Sequence, residues 1–294
     1  MRFFGSPASR LFRDARKALD AGDTDRAIRL YEELTTLAEG DSHAWFNLGL
    51  AYKFKADWPN SARCNRRAAE LDSSNKEAFW NLGVASTAER DWPTARWAWR
   101  NIDMDPGVGD GPPEMTLGPS PIRLNPGGNG EVVWGDRIDP CRARIVNVPL
   151  PDSGHRWGDV VLHDVVPRGE RESWGKTWGV FDELIRMDPG VFLTLESEVT
   201  APTEADKTAL EAVFEREDLG VEDWTSNVRW ICQQCSLSSP HEHTTLHEVS
   251  PIWVTTRRYG FAGPESRLLE LLRGWANAGD GRAFGPLREA REAS

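Results

Sequence analysis

Cys232, Cys235, His241 and His243, in the run ICQQCSLSSPHEHTTLHEV, gather four good zinc ligands into twelve residues. Two thiolates at the tip of a Cys-x2-Cys turn can share one ion, and tetrahedral zinc accepts Cys2His2, with Zn–S about 2.3 Å and Zn–N about 2.0 Å. In an extended segment His241 and His243 point the same way, and Pro240 stiffens their approach. His247 is close enough in sequence to replace either histidine. The spacing differs from that of the usual zinc finger, whose histidines come about a dozen residues later. Four protein ligands would close the coordination sphere, so a structural zinc is expected. Three would leave a place for water, and Glu242 or Glu248 could then serve as a base in metal-dependent hydrolysis. A redox thiol pair ranks behind both, because no thioredoxin-like helix follows the cysteines.

A second constellation is Asp152-Ser153-Gly154-His155-Arg156-Trp157-Gly158-Asp159, followed by His163-Asp164. It holds the residue types of a hydrolase triad without the flanking pattern of a nucleophile elbow, and it reads as a turn between strands. Trp134, Trp157, Trp174 and Trp178 are expected in a barrel core or rim. A base-stacking platform would need a basic groove beside them. Gly127-Gly128-Asn129-Gly130 has no helix after it and reads as a turn, and no phosphate loop or dinucleotide fingerprint is present. Cys64 and Cys141 are expected to be small, half-buried side chains.

These residues belong to a chain of 294, about two domains' worth. Asp and Glu outnumber Lys and Arg by 46 to 35, for a net charge of −11. Such a balance repels polyanions, so no nucleic-acid partner is expected. No apolar stretch is long enough to span a membrane, and the N-terminus lacks the apolar core of a signal peptide. A cytoplasmic location follows, with thiols or metal ligands in place of disulfides. The Arg/Trp-rich, Lys-poor composition suggests a bacterial source.

The N-terminal third repeats itself. Ala44-Trp45-Phe46-Asn47-Leu48-Gly49 returns as Ala78-Phe79-Trp80-Asn81-Leu82-Gly83, and Asp57-Trp58-Pro59 as Asp91-Trp92-Pro93, both with a spacing of 34. A more diverged copy, with Gly22-Asp23, Ala27, Ile28, Tyr31 and Leu34 in register, precedes them. The period of helix, turn and helix resembles the tetratricopeptide repeat over residues 8–106, in copies 8–41, 42–75 and 76–106. The resemblance implies a solenoid whose first helices line a concave groove for a partner protein or peptide. Asn47, Asn81 and Arg16 are the groove residues it nominates. Phe12 and Glu77 stand where the chaperone-tail clamp of that family carries Lys, which argues against such a clamp. Arg63, Arg66, Arg67, Arg96 and Arg100 fall on second helices and are expected on a solvated outer face.

Residues 107–121 are rich in Pro and Gly and read as a linker. Beyond them the period changes to short strands. Residues 131–134, 143–148 and 159–163, with a strand or turn over 174–181, suggest a small barrel or curled sheet across 122–187. Residues 188–294 alternate strand, helix, strands and helix, an order that predicts a ferredoxin-like α+β region carrying the Cys/His cluster. Its first helix, over 203–217, opens on a capping box of Thr203 and Asp206, and 227–232 and 252–262 read as strands. The whole predicts a non-enzymatic adaptor, regulatory or inhibitor-like, with a zinc-stabilised second domain. The alternative is a metal-dependent hydrolase that uses its repeats for docking.

Overall fold

A computed structural model describes residues 6–128, 130–225 and 253–290 of the chain. Two compact units emerge, one of residues 1–115 with 139–141, the other of 116–138 with 142–294.

The first unit contains α1 (Pro7–Asp20), α2 (Thr24–Leu37), α3 (Ser42–Phe54), α4 (Trp58–Leu71), α5 (Lys76–Ala88) and α6 (Trp92–Arg100). Each start is written in the sequence. Ser6, Asp23, Asp41, Asp57, Asn75 and Asp91 accept a hydrogen bond from a backbone N–H two or three residues on, and Pro7, Pro59 and Pro93 sit in first turns. The helices pair as three consecutive antiparallel hairpins of tetratricopeptide type. The turn inside each hairpin passes through the left-handed region at Gly22 (φ 78°), Ala56 (φ 54°) and Arg90 (φ 58°), again 34 residues apart. Only the diverged first copy uses the glycine that such a φ favours.

The same period sizes the core. Ala15, Gly49 and Gly83 occupy one place on the first helices, and Tyr31, Asn65 and Trp99 occupy one place on the second; all six are buried. A Cβ on Gly49 would collide with the Asn65 amide, and one on Gly83 with the Trp99 ring. The small residue therefore lets the paired helices approach.

One expectation about the outer face changes. Arg96 is only 5% exposed and donates to the carbonyl oxygens of Pro106 (2.6 Å), Gly111 (2.8 Å), Gly107 (3.2 Å) and Pro112 (3.2 Å). Arg100 adds a bond to the Gly107 carbonyl at 2.8 Å. The Pro/Gly-rich segment cannot pair its own carbonyls in regular structure, and the guanidiniums satisfy them while strapping the segment across α6.

The second unit begins inside the stretch read as linker. Strands β1 (Pro119–Leu124), β2 (Glu131–Arg137), β3 (Arg142–Ile145), β4 (Val160–His163) and β7 (Phe181–Asp188) form a closed barrel. Neighbours are antiparallel except β1 and β7, which close it in parallel. Ile122, Leu124, Val133, Ala143, Ile145 and Val161 fill it. Between β4 and β7 a two-stranded ribbon of β5 (Glu170–Ser173) and β6 (Lys176–Gly179) turns through Trp174 and Gly175, both left-handed as a tight hairpin requires.

The remainder runs β8 (Thr194–Thr200), α7 (Glu204–Arg216), β9 (Gly220–Asp223), β10 (Thr256–Ala262), α8 (Glu265–Asn277), β11 (Ala283–Phe284) and β12 (Arg288–Glu289). The sheet order is β11-β8-β10-β9, all antiparallel, with β12 also on β8. β8 and β9 run in the same direction with the antiparallel β10 between them, and β9 is a strand that the sequence reading did not place. The helices cover one apolar layer in which Leu210, Phe214, Tyr259, Phe261, Leu268, Leu272 and Trp275 are buried. Thr203 and Asp206 close both halves of the capping box. The strand expected over 227–232 lies outside the described residues.

Candidate functional site

The concave side of the repeats carries a cleft of about 530 Å³. Arg16 on α1, Asn47 on α3 and Lys76 on α5 line it, with Phe12, Phe46 and His43 beside them. Successive first helices thus deliver one cationic or amide donor each beside the rings, and Asp72 and Glu77 add two carboxylates to the lining on the side of α5. Asn47 is steadied by donating through Nδ2 to the His43 carbonyl at 2.7 Å. Arg16 is 70% exposed and meets Asp20 only at 3.9 Å, while Lys76 reaches Asp103 at 2.6 Å on open surface. Exposed pairs of this kind contribute about 0–1 kcal/mol, so an arriving carboxylate can displace them.

Asn81 departs from the expectation. It is 7% exposed, accepts from Lys53 Nζ at 3.4 Å, and is absent from the lining of the cleft. Its place in the repeat is taken up with holding neighbouring hairpins. Glu77 does line the cleft, as register implied, but so does Lys76 beside it, a residue that register alone did not nominate.

The Ser153-His155 constellation is not a triad. Ser153 Oγ donates to the Leu150 carbonyl at 2.7 Å and accepts from the His155 backbone at 3.1 Å, with no bond to the imidazole. His155 instead lies buried between two carboxylates, Nδ1 on Asp159 at 3.1 Å and Nε2 on Glu183 at 3.1 Å. Burial opposes its charge, but the hydrogen bonds and charges of Asp159 and Glu183 outweigh burial and push its pKa up to about 9. Burial raises Asp159 too, yet His155 and the N–H groups of Gly190 and Arg156 bring it below the usual carboxylate range. Clamped on both sides, the imidazole braces the turn before β4 against β7. It leaves no nitrogen to take a proton from a hydroxyl. His163 is likewise buried, with Nδ1 on the Asp164 carbonyl at 2.7 Å.

The second unit also has a cleft of about 1410 Å³ beside β2, β3 and α7. Trp134, Trp157, Trp174 and Trp224 line it. Trp174 stacks on Trp134 at 4.5 Å, and Trp178 stands edge-on to Trp134 at 5.3 Å. These aromatics therefore form rim and wall, and none of them is among the residues that fill the barrel. Burial, with Glu222 nearby, lifts Glu131 to about 7 although the Leu150 N–H opposes it.

Cys232, Cys235, His241, His243 and His247, with Glu242 and Glu248, lie outside the described residues. Among the described residues, no group of three or more His, Cys, Asp or Glu could hold a metal ion, and no helix is long and apolar enough to cross a membrane.

Neither a protein-family model nor a curated protein matches the chain. Solved structures similar to it are tetratricopeptide domains that span about a third of it. They include the TPR2B domain of yeast Sti1 in its pHsp70 complex, at 18% identity and TM-score 0.31 over 32% of this chain and 75% of that one. The Sgt2 TPR domain from Aspergillus fumigatus matches at 22% and 0.31, over 33% of this chain and 64% of that one. The second TPR of Spaghetti (RPAP3), bound to the HSP90 peptide SRMEEVD, matches at 20% and 0.31, over 32% and 88%.

Proposed function

We propose that the protein is an adaptor that holds a carboxylate-bearing peptide segment of a partner protein in the groove of its repeats. The observation that carries this reading is the convergence of Arg16, Asn47 and Lys76 from α1, α3 and α5 over Phe12 and Phe46. A peptide backbone finds an amide partner at Asn47, its carboxylate finds two cations, and an apolar side chain finds the rings. Hydrogen bonds to charged groups contribute about 1.5–3 kcal/mol, so Arg16→Ala or Lys76→Ala should each weaken capture of the partner roughly tenfold or more. Asn81→Ala, by contrast, should act through stability of the unit. Affinity measured by titration against the partner's peptide separates the cases; equal affinity in Arg16→Ala, Lys76→Ala and the parent would refute the groove.

The sequence also supports a structural zinc on Cys232, Cys235, His241 and His243, with His247 as the substitute ligand. Because binding and folding are linked, purified protein should carry about one zinc, and Cys232→Ser should lose it together with thermal stability. Zinc lost with stability unchanged would instead favour the hydrolase reading. Zinc-free protein from chelator-free, reducing purification would remove both.

A further inference from the structure

We propose that the large cleft of the second unit binds a Lys/Arg-rich, extended segment of a partner protein, at a site separate from the repeat groove. Its walls carry nine carboxylates against two guanidiniums, those of Arg144 and Arg171. They come from every side. Glu131 and Asp136 lie on β2, Glu222 on β9, and Glu211 and Glu215 sit four apart on one face of α7. Glu211 is paired with Lys207 at 2.6 Å and burial lifts Glu131 to about 7, but the other carboxylates still outnumber the two guanidiniums, a balance that favours a cationic occupant over a nucleic acid.

Aromatic faces supply the second half of the recognition. Trp174 is 71% exposed at the hairpin tip and stacks on Trp134, so a large ring is presented to solvent at the cleft's edge. Two of the lining rings already carry cations from the chain itself, Arg171 over Trp134 at 5.1 Å and Arg258 over Trp224 at 5.0 Å. The exposed Trp174 offers a ligand's lysine or arginine the same kind of contact. Size decides between a small cation and a chain. At about 1410 Å³ the cleft exceeds the roughly 300–1,000 Å³ of small-molecule sites, and its carboxylates come from five separate elements, β2, β5, β7, β9 and α7.

The test uses the full chain and a fluorescein-labelled octapeptide of alternating Arg and Lys, followed by anisotropy at low and moderate salt. Binding should weaken at least tenfold in Trp174→Ala and in Glu215→Gln/Glu222→Gln, and should fall with salt. Trp174 stands on an exposed turn, so its replacement leaves the fold in place. Glu33→Gln/Glu70→Gln in the repeats removes the same charge and should change binding less than twofold. Equal losses in both double variants would mean attraction to net charge alone and overturn the proposal. So would absence of binding, insensitivity to Trp174→Ala, or spermine binding as tightly as the peptide. The repeat-groove variants Arg16→Ala and Lys76→Ala should leave this binding unchanged, which keeps the two sites experimentally distinct.

Discussion

Trp99→Ala should destabilise the repeat unit by about 3–5 kcal/mol, the largest loss expected from any single side chain of that unit. Its indole is fully buried, stands edge-on to Trp80 at 5.4 Å, and fills the space that Gly83 leaves by having no Cβ. Truncation removes the transfer free energy of the ring and opens a cavity that rigid paired helices cannot collapse into. Gly83→Ala attacks the same contact from the other side. The new methyl would overlap the ring, and overpacking of this kind costs about 1–3 kcal/mol. The double variant should cost less than the sum, because the methyl then occupies part of the hole. Trp99→Phe should cost less than Trp99→Ala, since it leaves a smaller cavity and the Trp99 Nε1–H has no hydrogen-bond acceptor to lose among the described residues. Hydrogen exchange resolved to residues 42–100 reads these effects on the repeat unit separately from the rest of the chain. A loss under about 1 kcal/mol for Trp99→Ala would mean the hairpins are not packed through this pair.

His155→Ala should cost the barrel about 3–5 kcal/mol near pH 6, because it strands Asp159 and Glu183 as facing buried carboxylates. Arg186, whose Nη1 lies 3.6 Å from Asp159, softens the loss without replacing the bridge. Its pH dependence carries the sign of the two titrations. With a folded pKa of about 9 against about 6.5 unfolded, His155 contributes fully below pH 6.5, and that stability disappears as pH rises through 9. Asp159, lowered in the folded state, contributes above its unfolded value of about 3.9 and loses it as pH falls further. Parent and His155→Ala melting temperatures should therefore differ most between about pH 4 and 6.5 and converge above 9. A difference that grows from pH 6.5 to 9 would show that the imidazole is neutral in the fold.

The repeats were open to sequence reading because their determinants are local and periodic. Caps at Asp57 and Asp91, prolines at 59 and 93, and the Gly49–Asn65 and Gly83–Trp99 pairs all recur at one spacing, and each is a short-range interaction. The capping box at Thr203 was legible for the same reason. What stayed hidden depends on contacts distant in sequence. Arg96 looked like a surface cation until the backbone of 106–112 was laid across it. Asn81 shares its register with Asn47, but Lys53 of the preceding hairpin claims it. Lys76 reaches the groove from the first residue of α5, a position that pattern matching to Glu77 passed over. His155 was read as a turn residue because Glu183, the partner that locks it, is supplied by a strand beyond the ribbon. The strand β1 was obscured by Pro119 and Pro121, which a barrel strand tolerates where its N–H is not needed.

The groove is the centre of the account, and a photo-crosslinker placed in it tests that centre most directly. With benzoylphenylalanine at position 46 of the full chain, light should join the protein to a peptide segment of its partner in the cells that express it. The yield should fall at least tenfold when Arg16→Glu and Lys76→Glu are added, while the same crosslinker at Leu37, an exposed position on α2, should capture nothing in common with it. Capture that is equal from positions 46 and 37, or untouched by the two charge reversals, would contradict a peptide-holding groove.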